Sequence, residues 1–201
     1  QIGQLQAREY GRKARDAAKQ MRVIDPNLQL VACGSSGTGM PEYLVWEREV
    51  LEECYDMVDG ISLHAYYGNT EPLTRNSTAR YLAMNLDMDR QIHEVAAVCD
   101  YVQGLRKTSK RLWLSFDEWN VWYRARSGDA VNGRRQVAPK LLEEVYNLED
   151  GLLVGGFVNT LLRNTERVLK NGAVERLLEK ERTLGANLKF EDIIEEVAGV
   201  Y

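Results

Sequence analysis

The chain has few of the residues that special chemistry usually needs. Among 201 residues there are two histidines, three cysteines and four prolines. The two histidines form no HxxxH pair and no Cys/His cluster, and no acidic loop has EF-hand spacing, so no metal or cofactor is expected. Three cysteines, Cys33, Cys54 and Cys99, are too few and too odd a number for a disulfide framework. They lie in apolar stretches, which reads as buried, reduced thiols in a reducing, cytoplasmic setting. No apolar run approaches the roughly 18–20 residues of a membrane span, so no membrane partner is expected. Lys and Arg total 26 against 30 Asp and Glu, a net charge of -4. Without a basic face, nucleic acid is not an expected partner either. Gln1-Ile2-Gly3-Gln4 has neither the basic nor the apolar region of a signal peptide. It also lacks an initiator Met, which reads as a processed chain or a piece of a longer one.

What is present is ordinary globular composition, 44% hydrophobic and 28% charged, which excludes collagen-like and disordered classes. Tyr10, Ala14, Ala17 and Met21 recur at the helical period and predict a helix over about 4–21. Leu28 to Cys33 is a short apolar run before the turn-rich Gly34-Ser35-Ser36-Gly37 and predicts a strand. Trp46, Val50, Leu51 and Cys54 suggest a second helix. Asp59 to His64 is the next strand candidate, followed by a loop over 68–78. Met88, Ile92, Val95, Cys99 and Val102 mark a long amphipathic helix. Arg111 to Phe116 reads as a third strand, and a polar loop containing Ser127-Gly128-Asp129 and Asn132-Gly133 follows. Leu141, Val145, Leu148 and Leu152 begin a helix running to about Arg163. Strands alternating with helices of crossover length argue for an α/β fold with a parallel sheet. Beyond Val168 the chain reads as two short charged helices, with apolar stripes at Val174, Leu177, Leu178 and Leu184 and at Phe190, Ile193, Ile194 and Val197.

Chemistry in such folds sits at the carboxyl ends of strands. The third strand leads into Asp117-Glu118-Trp119-Asn120-Val121-Trp122-Tyr123, a carboxylate pair among aromatic rings. A sugar site needs rings to stack on and an acidic oxygen to attack or accept a proton. The plainer reading is a capping acid followed by core aromatics. Neighbouring residues on a strand point to opposite faces, so Asp117 and Glu118 are not expected to share a cleft without a twist or bulge. His64, next to Tyr66 and Tyr67, stands at the second strand end; its plainer reading is a hydrogen-bonded core histidine. His93 reads as a surface residue. Gly34-Ser35-Ser36-Gly37-Thr38-Gly39 lacks the Gly-Lys-Ser/Thr ending of a phosphate loop, and no Gly-x-Ser-x-Gly elbow occurs.

These strand ends, with Val31 to Gly37, Asp59 to Asn69, Leu86 to Arg90, Leu114 to Tyr123 and Leu142 to Asp150, resemble the α-L-arabinofuranosidases of glycoside hydrolase family 51. The resemblance runs from Gln1 to about Val168. It implies a (β/α)8 barrel of the TIM type, which takes about 250 residues when closed. Residues 1–168 are then expected to form roughly its second half, a partial barrel, with 169–201 as an atypical charged helical tail. It implies that Glu118 is the nucleophile of a retaining hydrolysis, that His64, Tyr66 and Trp122 serve the sugar, and that Tyr66 orients Glu118. Asp117 would be a neighbour that positions the strand end. The substrate implied is an arabinose-containing oligosaccharide or polysaccharide.

In the family a Gly-Asn-Glu motif supplies the general acid/base shortly before a segment like Gln1-Ile2-Gly3. The acid and the first strands are therefore expected to be absent, a loss of about 10²–10⁴-fold in rate for the acid alone. An open parallel sheet also leaves unpaired edges. The expected partner is the missing N-terminal barrel half or another copy of the chain, giving a homo-oligomer. Two other readings stand beside this one: a non-catalytic barrel fragment with a residual carbohydrate-binding cleft, and a clan relative such as a xylanase or β-glycosidase.

Overall fold

The computed structural model describes residues 4–70, 72, 74–123 and 144–168. Helix α1 spans Ala7–Ile24, where Gln6 N–H donates to the Glu9 carboxylate at 3.0 Å and so satisfies one orphan group of the first turn. Its buried positions are Ala7, Gly11 and Ala18. The predicted stripe is therefore displaced, and Met21 is exposed. The reason is helix α2, Val45–Cys54, which packs on the small residues. A side chain at Gly11 would come within 2.9 Å of Val50 O and Glu53 Cβ. Arg8, Arg12 and Arg15 pair with Glu49, Glu52 and Glu53 along the same face.

Strand β1 is only Val31–Ala32, shorter than the predicted run, and pairs in parallel with β2, Gly60–Tyr67, in the register Val31 to Gly60 and Ala32 to Ile61. A 3₁₀ turn, Tyr55–Met57, joins α2 to β2. The third strand, β3, is Trp113–Val121, and the sheet order is β1-β2-β3. Trp113 N–H donates to Asp59 O near one end and Trp122 N–H to Tyr67 O near the other, so β2 and β3 run the same way. Both strands extend beyond their predicted ends. Ladder pairing carries the polar residues Asp117, Glu118 and Asn120 inside a strand that side-chain polarity alone would end at Phe116. Leu114 bridges in parallel to Val168.

A five-residue helix α3, Thr78–Leu82, follows the 68–78 loop; it is too short to leave a period. Helix α4, Asn85–Arg106, matches expectation, and Met88, Ile92, Val95, Cys99 and Val102 are all buried. It ends with Lys107 at φ 51, Lys107 N–H bonded to Gly104 O and Thr108 N–H to Gln103 O, a Schellman stop whose left-handed residue favours glycine. Helix α5 is Leu148–Arg163. Its start lies later than the predicted stripe implies. Val145, Leu148 and Leu152 are exposed, while Leu153, Val154, Phe157 and Leu161 are buried. Asn147 sets the start, through a reciprocal pair: Asn147 N–H to Asp150 Oδ2 at 2.9 Å and Asp150 N–H to Asn147 Oδ1 at 3.0 Å. Leu141, the 127–133 loop and the helices predicted beyond Val168 lie outside the described residues.

The described residues divide into two compact units. One holds 4–65, 89–118 and 164–168; the other holds 66–70, 72, 74–88, 119–123 and 144–163. The first has its core at Val50, Leu51, Ile61, Leu63, Ile92, Leu114 and Phe116, and the second at Tyr67, Tyr81, Trp119, Val121, Leu153 and Phe157. Both are mixed α/β. No described helix is long and apolar enough to cross a membrane.

Asp59, just before β2, accepts from Arg22 Nη2 at 2.7 Å and Leu30 N–H at 2.8 Å, and Lys110 Nζ lies at 3.4 Å. Burial alone would push this carboxyl up. The Leu30 N–H, Arg22 and Lys110 outweigh it and hold the group below its usual range. A depressed folded value stabilises above the unfolded pKa of about 3.9 and is lost as pH falls through the folded value. Asp59→Asn is therefore expected to destabilise the chain at neutral pH, and its deficit in urea melts to shrink as acid passes below about pH 4. Ile92→Ala is expected to cost about 2–5 kcal/mol through the cavity it leaves. Lys107→Gly is expected to stabilise by roughly 1 kcal/mol by relieving the left-handed backbone. Chemical denaturation with an unchanged slope checks both.

Candidate active site

The three strand ends differ in what they hold. After β1, Cys33 N–H donates to Tyr10 Oη and Trp46 Nε1–H to Cys33 O, both at 2.9 Å, and the Tyr10 and Trp46 rings stack at 5.6 Å. Gly34 N–H donates to Ser62 Oγ at 3.1 Å; a Cβ at Gly34 would lie 2.1 Å from Ser62 O, so no larger residue fits against β2. Buried Glu47 then accepts from Ser35 N–H at 2.6 Å and Leu44 N–H at 2.7 Å. Protein groups thus hold the start of this loop, at Gly34 and Ser35.

Within the first unit, the C-terminal part of β2 presents His64 and β3 presents Asp117 and Glu118. His64 Nε2 lies 3.3 Å from Asp117 Oδ1, and His64 Nδ1 lies 3.3 Å from Glu118 Oε2. The two carboxylates thus meet one imidazole, contrary to the expectation from strict alternation. The carboxylate side chains are each 46% exposed and the imidazole 27%, so the cluster opens to solvent. Gln91 of α4, itself buried, donates Nε2–H to His64 O at 3.2 Å. It pins the strand at the residue that carries the imidazole.

Within the second unit, Tyr66 and Trp122 meet edge to face, with ring centroids 5.2 Å apart. Both are half-buried. Trp119 is not beside them as a wall; it is buried against Phe157 at 5.9 Å. Trp119, Asn120 and Val121 are all buried, so the end of β3 is enclosed on both faces. Tyr123 packs edge-on to Tyr81, and Tyr123 N–H donates to Glu144 at 2.9 Å. Buried Asp150 accepts from Tyr81 Oη–H at 2.8 Å. His93 is exposed as expected. The sequence reading passed over Gln91, Glu47 and Asp150. Gln91 left a signal, a polar residue in the apolar stripe between Met88 and Ile92.

The same architecture and motifs occur in known proteins. A family profile described as the α-L-arabinofuranosidase C-terminal domain matches residues 117–170. The chain is 48% identical over 168 residues to an intracellular exo-α-(1→5)-L-arabinofuranosidase of Halalkalibacterium halodurans, and equally to one of Bacillus subtilis; each alignment covers 84% of this chain and 33% of the relative. The chain belongs to glycoside hydrolase family 51. A solved family 51 α-L-arabinofuranosidase from Bifidobacterium longum superposes with a TM-score of 0.74 at 34% identity, covering 84% of this chain and 35% of that one. The chain spans about a third of the length of the curated relatives it matches.

Of the cysteines at these elements, Cys54 and Cys99 are buried and Cys33 is exposed, which corrects the expectation that all three are enclosed. Burial pushes the Cys54 thiol up to about 11 and the Cys99 thiol to about 12. A disulfide reagent at about pH 8 is expected to modify Cys33 alone in the folded chain and all three thiols in denaturant, because the thiolate is the reactive form. Mass spectrometry of the labelled peptides checks the order.

Proposed function

We propose that this chain carries the nucleophile of a retaining α-L-arabinofuranosidase that removes terminal non-reducing α-L-arabinofuranosyl residues from oligosaccharides or polysaccharides. The observation that carries this reading is the position of Glu118. In a family 51 chain, its carboxylate stands toward the C-terminal part of a parallel strand, half exposed and in contact with an imidazole.

In the first step Glu118 attacks the anomeric carbon while a second carboxyl protonates the departing oxygen. In the second, water releases the sugar from the enzyme ester with that carboxyl acting as base. Retaining pairs stand about 5–5.5 Å apart. The acid needs a raised pKa and the nucleophile an ionised carboxylate. None of the motifs quoted above supplies the acid, so in this reading it comes from a partner segment that carries the family's Gly-Asn-Glu motif, an N-terminal barrel half. The strand–helix alternation and parallel pairing support a partial (β/α)8 barrel over 1–168. His64, Tyr66 and Trp122 serve the sugar, with Trp122 offering an indole face for stacking. The protein works without a cofactor in a reducing, cytoplasmic setting.

The test is a chromogenic aryl α-L-arabinofuranoside assayed with the chain alone and mixed with a separately produced N-terminal half. Hydrolysis is expected in the mixture and is expected to vanish with Glu118→Gln. Activity that survives that substitution would overturn the nucleophile assignment. Sugar binding without turnover in every mixture would leave the chain a carbohydrate-binding fragment.

A further inference from the structure

The first unit holds a three-residue arrangement of His64, Asp117 and Glu118. Asp117 and Glu118 are consecutive on β3, yet each places a carboxylate oxygen 3.3 Å from a different nitrogen of His64. Successive side chains of a strand leave on opposite faces, and two neighbouring carboxylates repel. Something has to draw both to one place, and the imidazole is the group between them. A neutral imidazole donates one hydrogen bond and a protonated one donates two, so the ring can serve one or both carboxylates. Gln91 fixes the main chain of His64 from α4, which leaves the ring's orientation to the carboxylates.

We propose that His64 is a positioning residue. Its Nδ1 holds the Glu118 carboxylate in the attack orientation, and Asp117, on Nε2, sets the angle of the ring. This rests on Glu118 being the nucleophile and adds a role for the other two residues. His64 is then a clamp acting through Glu118 rather than only part of the pocket wall, and Asp117 orients His64. The glycosylation step balances simply: the bond from Glu118 Oε to the anomeric carbon forms, the bond from that carbon to the aryl oxygen breaks, and the aryloxide departs with the electron pair. Misplacing a reacting group by about 1 Å can cost on the order of 100-fold in rate, so a lost clamp is expected to appear in the rate of attack more than in sugar binding.

A dinitrophenyl α-L-arabinofuranoside makes that step visible, because its leaving group needs no proton. With the same two-part mixture, the burst of dinitrophenolate measures attack by Glu118. His64→Phe is expected to slow the burst about 10–100-fold while the half-saturating sugar concentration stays within about threefold. His64→Gln, which restores a single N–H, is expected to recover much of the rate, and Asp117→Asn to give a smaller loss. A native burst rate in His64→Phe overturns the clamp, as does a loss confined to the half-saturating concentration. A burst that persists in Glu118→Gln overturns the underlying nucleophile assignment instead. The contacts have their own readout, independent of turnover. The chain has two histidines, and the ring ¹⁵N resonances of His64 are expected to shift in Asp117→Asn and in Glu118→Gln while those of His93 do not. A His64 signal that ignores both substitutions overturns the clamp even if the mixture proves inactive.

Discussion

Parallel pairing of two consecutive strands requires the chain to return along the sheet before the second strand can begin. Helix α4 makes that return between β2 and β3. Its 22 residues span about 33 Å at roughly 1.5 Å per residue, enough to run back past the nine residues of β3, which extend about 30 Å. The return also has to bury one face of the helix, and the stripe from Met88 to Val102 is that face. The glutamine in the stripe reaches the β2 backbone at His64. One crossover therefore both closes the strand pair and fixes the residue on which the carboxylates converge.

Electrostatics divide the first unit into two ends with opposite duties. At the N-terminal ends of the strands, Asp59 is enclosed by Arg22, Lys110 and a backbone N–H. Its charge is satisfied internally and its work is structural. Toward the other ends, Asp117 and Glu118 share an imidazole and remain half exposed. The same residue type is thus held by protein charges at one end and open to solvent at the other.

Side-chain order was a good guide wherever one interaction dominated. The α4 stripe is long and has no competitor, so its buried face was legible residue by residue. The α1 and α5 faces were not. In each, several apolar sets satisfy the helical period, and the one that is buried depends on which neighbour arrives. On α1, the small residues Ala7, Gly11 and Ala18 admit α2 closely, so shape outweighed hydrophobicity. On α5, Asn147 and Asp150 fix the first turn and thereby rotate Leu148 and Leu152 outward. The strands were underestimated at their C-terminal ends because a ladder continues through polar residues as long as its partner continues.

Composition and local pattern were enough to establish an α/β chain, the crossover helix, the strand that leads into Glu118, and the likeness to family 51, since each of these resides in contiguous residues. Folding in three dimensions settled which face of each helix is covered, that Trp119 belongs to the core, that Cys33 is open, and that Asp117 and Glu118 both reach His64. The last of these depends on groups about 50 residues apart in the chain meeting within 3.3 Å, and a linear period contains no term for such meetings.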